Sequence, residues 1–206
     1  WFVYSLGSKV LSYKWHNAAT GESLQGFSGR AHQEKNWGKG FPPAWIWSEC
    51  YDFDSGANFA VSLGVLELFH VNIPAHLIGY RSPSLNLSLN FRPTNSILEK
   101  SINSCSGKTH VTVMGLIHKV VFELQTDPST LKTCLLGPTE QGFVPVCIES
   151  YNSVGIFYIY RISAFGYKLI EKRTFQRCAL EFGGDYICSE KNPCKSENNR
   201  VGNLKF

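Results

Sequence analysis

Apolar and polar residues alternate with a period of two through most of this chain, the signature of half-buried strands. In residues 85–91, Leu85, Leu87, Leu89 and Phe91 fall on one face and Asn86, Ser88 and Asn90 on the other. The same alternation runs from His110 to Leu116. Residues 119–126, 154–162 and 167–171 are rich in β-branched and aromatic side chains, and 59–68 is apolar with Ser and Gly interruptions. These runs predict strands near 59–68, 85–91, 110–118, 119–126 and 154–162. Turn signals punctuate the chain at Ala19-Thr20-Gly21, Asp54-Ser55-Gly56, Ser82-Pro83-Ser84, Ser106-Gly107, Asp127-Pro128 and Gly183-Gly184. Many short strands at near-regular spacing predict an all-β chain folded as an antiparallel barrel or sandwich. No stretch has a helical period; 173–182 is too short to assign, and no internal repeat is present. The polar run from Ser189 to Arg200 reads as a terminal tail or partner-bound arm. The organisation is therefore a β region over 1–187 and a polar tail over 188–206.

Composition narrows the function. With 206 residues the chain can bury a sizeable core, as one large β domain or two small ones. Charged residues make up only 17%, below the ~25% of ordinary soluble domains, which implies much buried or apolar-facing surface. The net charge of +4 comes from scattered residues, without the basic stripe that nucleic acid requires. No apolar run approaches the ~18 residues of a membrane-spanning helix. The chain begins with Trp1, as a processed product or fragment does, so the lack of a targeting segment carries no information. Seven cysteines and six histidines lack metal-ligand spacing, and no metal is expected. The cysteines read as buried thiols of a reducing compartment, with Cys188 and Cys194 near enough in sequence to bridge. Asn86-Leu87-Ser88 matches a glycosylation sequon, but the alternating pattern puts it inside a strand, and the sequence reading discounts it.

The stretch from Glu34 to Trp47 breaks the pattern. It combines Trp37, Phe41, Trp45 and Trp47 with Gly38, Gly40, Pro42 and Pro43 around the acid–base pair Glu34-Lys35. Exposing so much aromatic area is unfavourable, and Gly-Lys-Gly and Pro-Pro interrupt a ladder. Such a segment caps a core or lines a pocket. Glu34-Lys35-Asn36-Trp37-Gly38, Gly40-Phe41-Pro42, Trp45, Trp47 and Cys50, in this order and spacing, resemble the signature of the tocopherol cyclases and tocopherol cyclase-like proteins. Further along, His76-Leu77-Ile78-Gly79, then Pro138-Thr139 with Gly142, Pro145 and Cys147, then 179–184 (ALEFGG), resemble later family segments.

The resemblance implies a lipocalin-like barrel or open barrel, half of a double-barrel architecture whose preceding half is missing here. It implies a chemistry in which the double bond of a prenylated quinol is protonated and the phenol oxygen captures the cation, closing a chromanol ring. No metal or redox cofactor takes part. It further implies a plastid, membrane-associated setting, at the thylakoid or a lipid-droplet surface. The family usually has glutamine at Glu49 and asparagine at Tyr51, and carries an aromatic and acidic stretch where this chain is polar and serine-rich (90–109).

Alkene protonation needs an acid in a dry pocket and a surround that stabilises a cation. Glu34 and Asp52 are the candidate catalytic acids. Trp37, Phe41, Trp45, Trp47 and Glu49 are the candidate substrate-binding residues, the rings acting through their π faces. Equally open at this stage are a structural ion pair for Glu34 and a barrel-plugging role for the tryptophans. Glu181 reads as an outward, solvated acid, Cys50 and Cys147 as core packing, and His32 as a hydrogen-bonded histidine or a proton relay. Two functions follow: a non-catalytic module that binds a prenyl lipid or serves as a subunit of a larger plastid assembly, and an isomerase that closes the chromanol ring. The expected partners are a prenylated quinol or other apolar lipid and the proteins of a membrane-associated assembly.

Overall fold

Strands joined by tight turns build nearly all of the structure, a computed structural model that describes residues 2–37, 41–68, 71–139 and 142–194. Three 3-10 turns, Pro83–Leu85, Pro128–Thr130 and Ser189–Lys191, complete the regular elements among them. Two compact units emerge, Trp1–Lys39 and Gly40–Phe206.

The first unit is a long antiparallel hairpin of β1 (Phe2–His16) and β2 (Ser23–Trp37). Its turn follows from Asn17, whose side-chain oxygen accepts the backbone N–H of Ala19 at 3.0 Å, and from Gly21 at φ +73°. Asn and Gly are the residues that tolerate this geometry. Register shifts between Ser8 and Tyr13 bend the ribbon.

The second unit is one antiparallel sheet. Its strands are β3 (Ala44–Tyr51), β4 (Asn58–Leu68), β5 (Val71–Ser82), β6 (Leu87–Phe91), β7 (Ser96–Asn103), β8 (Lys108–Gly115), β9 (His118–Gln125), β10 (Thr133–Thr139), β11 (Gly142–Ser163) and β12 (Gly166–Gly184). They lie in the order β6-β5-β4-β3-β12-β11-β9-β8-β7, and β10 pairs with the first half of β11. The five strand runs expected from the sequence correspond to β4, β6, β8, β9 and the second half of β11. Residues 173–182, which sequence left unassigned, belong to β12.

The closed, lipocalin-like barrel is not what forms. Strands β6 and β7 end the order, and no ladder joins them. Between them the chain closes a turn on itself: the Asn95 side-chain oxygen accepts the Arg92 N–H (2.8 Å), and the Asn95 N–H donates to the Arg92 carbonyl (3.0 Å). That turn satisfies its own polar groups, and Pro93 has no N–H to offer a ladder. The sheet nevertheless curls, because inward residues of both end regions share one core. Leu89 and Phe91 on β6 join Val111 and Val113 on β8 in it.

At the centre of that core Phe157 touches four aromatic rings, Phe59 (4.4 Å between centroids), Phe122 (4.8 Å), Tyr80 (5.6 Å) and Phe175 (5.6 Å). Each large side chain buried here contributes about 1.5–3 kcal/mol. The inward face is filled with protein side chains.

Cysteine pairing departs from expectation. Six of the seven cysteines form disulfides: Cys50–Cys178, Cys105–Cys188 and Cys134–Cys194. Cys188 and Cys194 do not pair with each other. Each reaches back to the sheet, so the segment between them is covalently anchored. Spacing along the chain could not show this, because the partners lie 60 to 128 residues apart. Cys147 alone keeps its thiol, and it is buried.

Two histidines link stability to pH. His76, buried on β5, shares a hydrogen bond with Ser96 Oγ at 2.8 Å. Burial first, then the charge of Lys100, lowers its pKa. His118 is lowered likewise, by burial and then by Arg161. A lowered histidine pKa means the folded state resists a proton that the unfolded chain accepts near 6.5. The stability these groups contribute is thus complete above that value and is lost as pH falls toward the folded values. The urea midpoint is expected to fall between pH 7 and pH 5, and a His76→Gln/His118→Gln variant to lose most of that slope. The depressed carboxylates Asp52 and Asp127 act below their ordinary 3.8 and leave the window untouched.

Candidate functional site

Strand alternation divides β3 between two faces. Ile46, Ser48 and Cys50 point inward and are buried, so Trp45, Trp47 and Glu49 lie on the opposite, outward face. Register then decides what meets them. On β12, Gly183 stands opposite Trp45, Glu181 opposite Trp47 and Ala179 opposite Glu49. On β11, Cys147 stands opposite Gly183 and Glu149 opposite Glu181. One outward face therefore gathers two tryptophans, three carboxylates and the single free thiol.

The geometry is built around Trp45. Its indole N–H donates to Glu181 Oε1, a hydrogen bond to a charged acceptor of the stronger kind. Its ring stacks on Phe41 at 4.9 Å between centroids, 17° from parallel. Glycine makes room beneath both rings. A Cβ on Gly183 would intrude into the Trp45 indole, and one on Gly137 would come within 2.8 Å of the Phe41 ring. Trp45 is only 5% exposed, whereas Trp47 beside it is half-buried.

Burial also sets the protonation of the neighbours. The Cys147 thiol is pushed far above its usual range, chiefly by burial and further by the charge and hydrogen bond of Glu181 and the charge of Glu149. It therefore stays protonated and serves as a donor to Glu181. Tyr151 is 70% exposed, yet its hydroxyl is also raised, by local burial of that group first and by a hydrogen bond to Glu149 next. Glu149 itself is 5% exposed. The patch is thus a pair of facing carboxylates, each touched by a group that keeps its proton, beside stacked aromatic rings.

The other sequence candidates are dispersed. Asp52 lies at the β3–β4 turn, in a second polar constellation. Its carboxylate meets Arg173 Nη1 at 3.1 Å, and Arg173 also binds Glu171 at 2.8 Å. Glu171 in turn accepts from the Tyr80 hydroxyl at 2.8 Å and from Ser82 Oγ at 3.0 Å. A hydrogen bond from Ser55, opposed by partial burial and aided by further bonds and Arg173, holds the Asp52 carboxyl below its ordinary value. An acid held ionised suits the anchoring of Arg173 better than the donation of a proton. Glu34 and Trp37 lie at the end of β2, their backbones opposite Ser5 and Phe2; their side chains and residues 38–40 lie outside the described residues.

Two residues that sequence reading set aside belong to the patch. Glu181 faces outward as expected, but it is part-buried and bonded to Trp45 rather than solvated. Cys147 is buried as expected, but on the carboxylate face. Glu149 and Tyr151 carried no signal of their own. A period of two puts both opposite the core; cross-strand register places Glu149 across Glu181 from Trp47, and the hydrogen bond to Glu149 brings in Tyr151.

The family profile described as Tocopherol cyclase-like matches residues 15–184. That span covers the end of β1, all of β2 and the whole sheet, including every residue of the outward patch. No curated protein and no solved structure matches the chain.

Proposed function

Because the chain belongs to the tocopherol cyclase-like family, we propose that it is a non-catalytic module that holds a prenylated quinol, or a similar apolar lipid, against the outward face of β3, β12 and β11. The observation that carries this reading is the half-buried Trp47 set beside the facing carboxylates Glu181 and Glu149. Quinol hydroxyls are donors, and carboxylates are acceptors matched to them. Tryptophan gives the ring and the prenyl chain an apolar surface. The inward face is filled by Phe59, Tyr80, Phe122, Phe157 and Phe175, which directs the ligand to the other side of the sheet. Glu49 supplies a carboxylate acceptor where the family usually offers an amide, and a carboxylate accepts a quinol hydroxyl more strongly than a neutral amide does. A lipid of this kind is drawn from a membrane surface, and the module delivers or retains it there, alone or within a larger assembly.

A second reading is favoured by one observation, the carboxylate pair set against aromatic rings. Two facing carboxylates can divide acid and base roles. Glu181 or Glu149 in its acid form would protonate the prenyl double bond. The phenol oxygen would bond to the tertiary carbon, and the other carboxylate would take the phenol proton. The sum is an isomerisation without cofactor.

One experiment separates the two. The full chain is titrated with a prenylated benzoquinol while tryptophan emission is followed, and the mixture is then assayed for the chromanol. Saturable quenching without chromanol is the expected result. Chromanol formed by the native chain and lost in Glu181→Gln would establish the isomerase instead, and unchanged emission would remove both.

A further inference from the structure

We propose that Asn86 is an N-glycosylation acceptor and that the chain folds in the lumen of the secretory pathway. The modification lies on a different part of the sheet from the lipid-binding face, and the lumenal setting takes the place of the plastid one that the resemblance implies. Three observations converge on it.

The first is the acceptor geometry. Asn86-Leu87-Ser88 is an Asn-x-Ser sequon, which requires an asparagine in a surface segment. The alternating pattern placed it within a strand, but β6 begins only at Leu87. Pro83–Leu85 forms a 3-10 turn, and Asn86 closes it in the left-handed region at φ 49°, ψ 41°, its N–H bonded to Pro83 O. Asparagine is one of the few non-glycine residues that enter this region at low cost. Asn86 and Ser88 are both exposed.

The second is the compartment. Three disulfides that join residues 60 to 128 apart form and persist in an oxidising lumen. The odd seventh cysteine is consistent with this, because Cys147 is buried and its thiol kept protonated, which makes it slow to exchange. The reducing compartment read from the cysteine count does not accommodate that framework.

The third is what the glycan would cover. Among the described residues strand β6 has a single ladder partner, β5, and so presents an unpaired edge. Leu85 beside it is 45% exposed. Unpaired edges with adjoining apolar surface promote association between chains. A hydrated glycan at the first turn before β6 shields both.

The test is made on the full-length protein isolated from the cells that produce it. The peptide carrying residue 86 is examined by mass spectrometry before and after an amidase that releases N-glycans and leaves aspartate. A glycan at Asn86, with the Cys105–Cys188 and Cys134–Cys194 peptides linked, is the expected result. In the same cells Asn86→Gln and Ser88→Ala should abolish the gel-mobility shift, while Ser88→Thr retains it. Retention in Ser88→Thr shows that loss in the other two reports the sequon and not misfolding. An unmodified Asn86 in the disulfide-bonded native protein overturns the proposal, as do free thiols at all seven cysteines.

Discussion

Replacement of Cys105 and Cys188 together by serine is expected to cost about 2–5 kcal/mol, and reduction of all three disulfides to abolish cooperative unfolding of the second unit at 37 °C. The bridges close loops with separations of 128, 83 and 60 residues. Loop-closure entropy for lengths of that order amounts to about 4–5 kcal/mol per bridge in the chain-entropy treatment. The three are not equivalent. Cys50 and Cys178 sit on β3 and β12, strands already paired through the ladder that ends at Ala179. Cys105–Cys188 and Cys134–Cys194 instead tie the segment after β12 to the β7–β8 turn and to β10. That segment packs Tyr186 and Ile187 against the core, and the two bridges fasten the polar residues that follow. Urea unfolding with and without reductant, monitored by tryptophan emission and far-ultraviolet circular dichroism, measures the effect. An unchanged midpoint after complete reduction would show that the bridges contribute nothing.

Trp45 and Trp47, two residues apart on one face, are expected to respond to alanine in opposite ways. Trp45 is buried under Phe41, lies over Gly183 and holds Glu181 through its indole N–H. Trp45→Ala should cost about 3–5 kcal/mol, from the cavity and the lost packing together. It also leaves a part-buried carboxylate without that donor, which adds to the cost. Trp47 is half-buried, so Trp47→Ala should cost much less in stability and instead weaken quinol binding. Unfolding curves and fluorescence titrations on both variants decide the matter, with Gly183→Ala as a third probe. A methyl group at 183 collides with the Trp45 ring and should reproduce the Trp45 phenotype in part. Equal stability losses at 45 and 47 would mean that both are core, and the binding face would then lie elsewhere.

Period-two patterning was a sufficient guide to the β class and to β4, β6, β8, β9 and the second half of β11, because alternation reflects one buried and one unburied face wherever a strand lies on a core. It also placed Trp45 and Trp47 together on one face. It could not separate a barrel from an open sheet, since closure depends on whether two end strands meet. Here β6 and β7 end the strand order without a ladder between them. The family was legible in the tryptophan-, glycine- and proline-rich signature, because rare residue types at fixed spacing carry more information than alternation does.

What only tertiary structure decided were the relations across strands. Glu149 and Glu181 are 32 positions apart in sequence yet directly opposed in register. The same ladder arithmetic moved Asp52 away from the tryptophans and into an ion pair with Arg173. Three disulfide pairings likewise depend on which strand ends approach within bonding reach. Local sequence determined strands, turns and the aromatic signature, because those follow from side-chain sterics and solvation at neighbouring positions. Register and curl, set by the filling of a common core, determined which distant polar groups share a site.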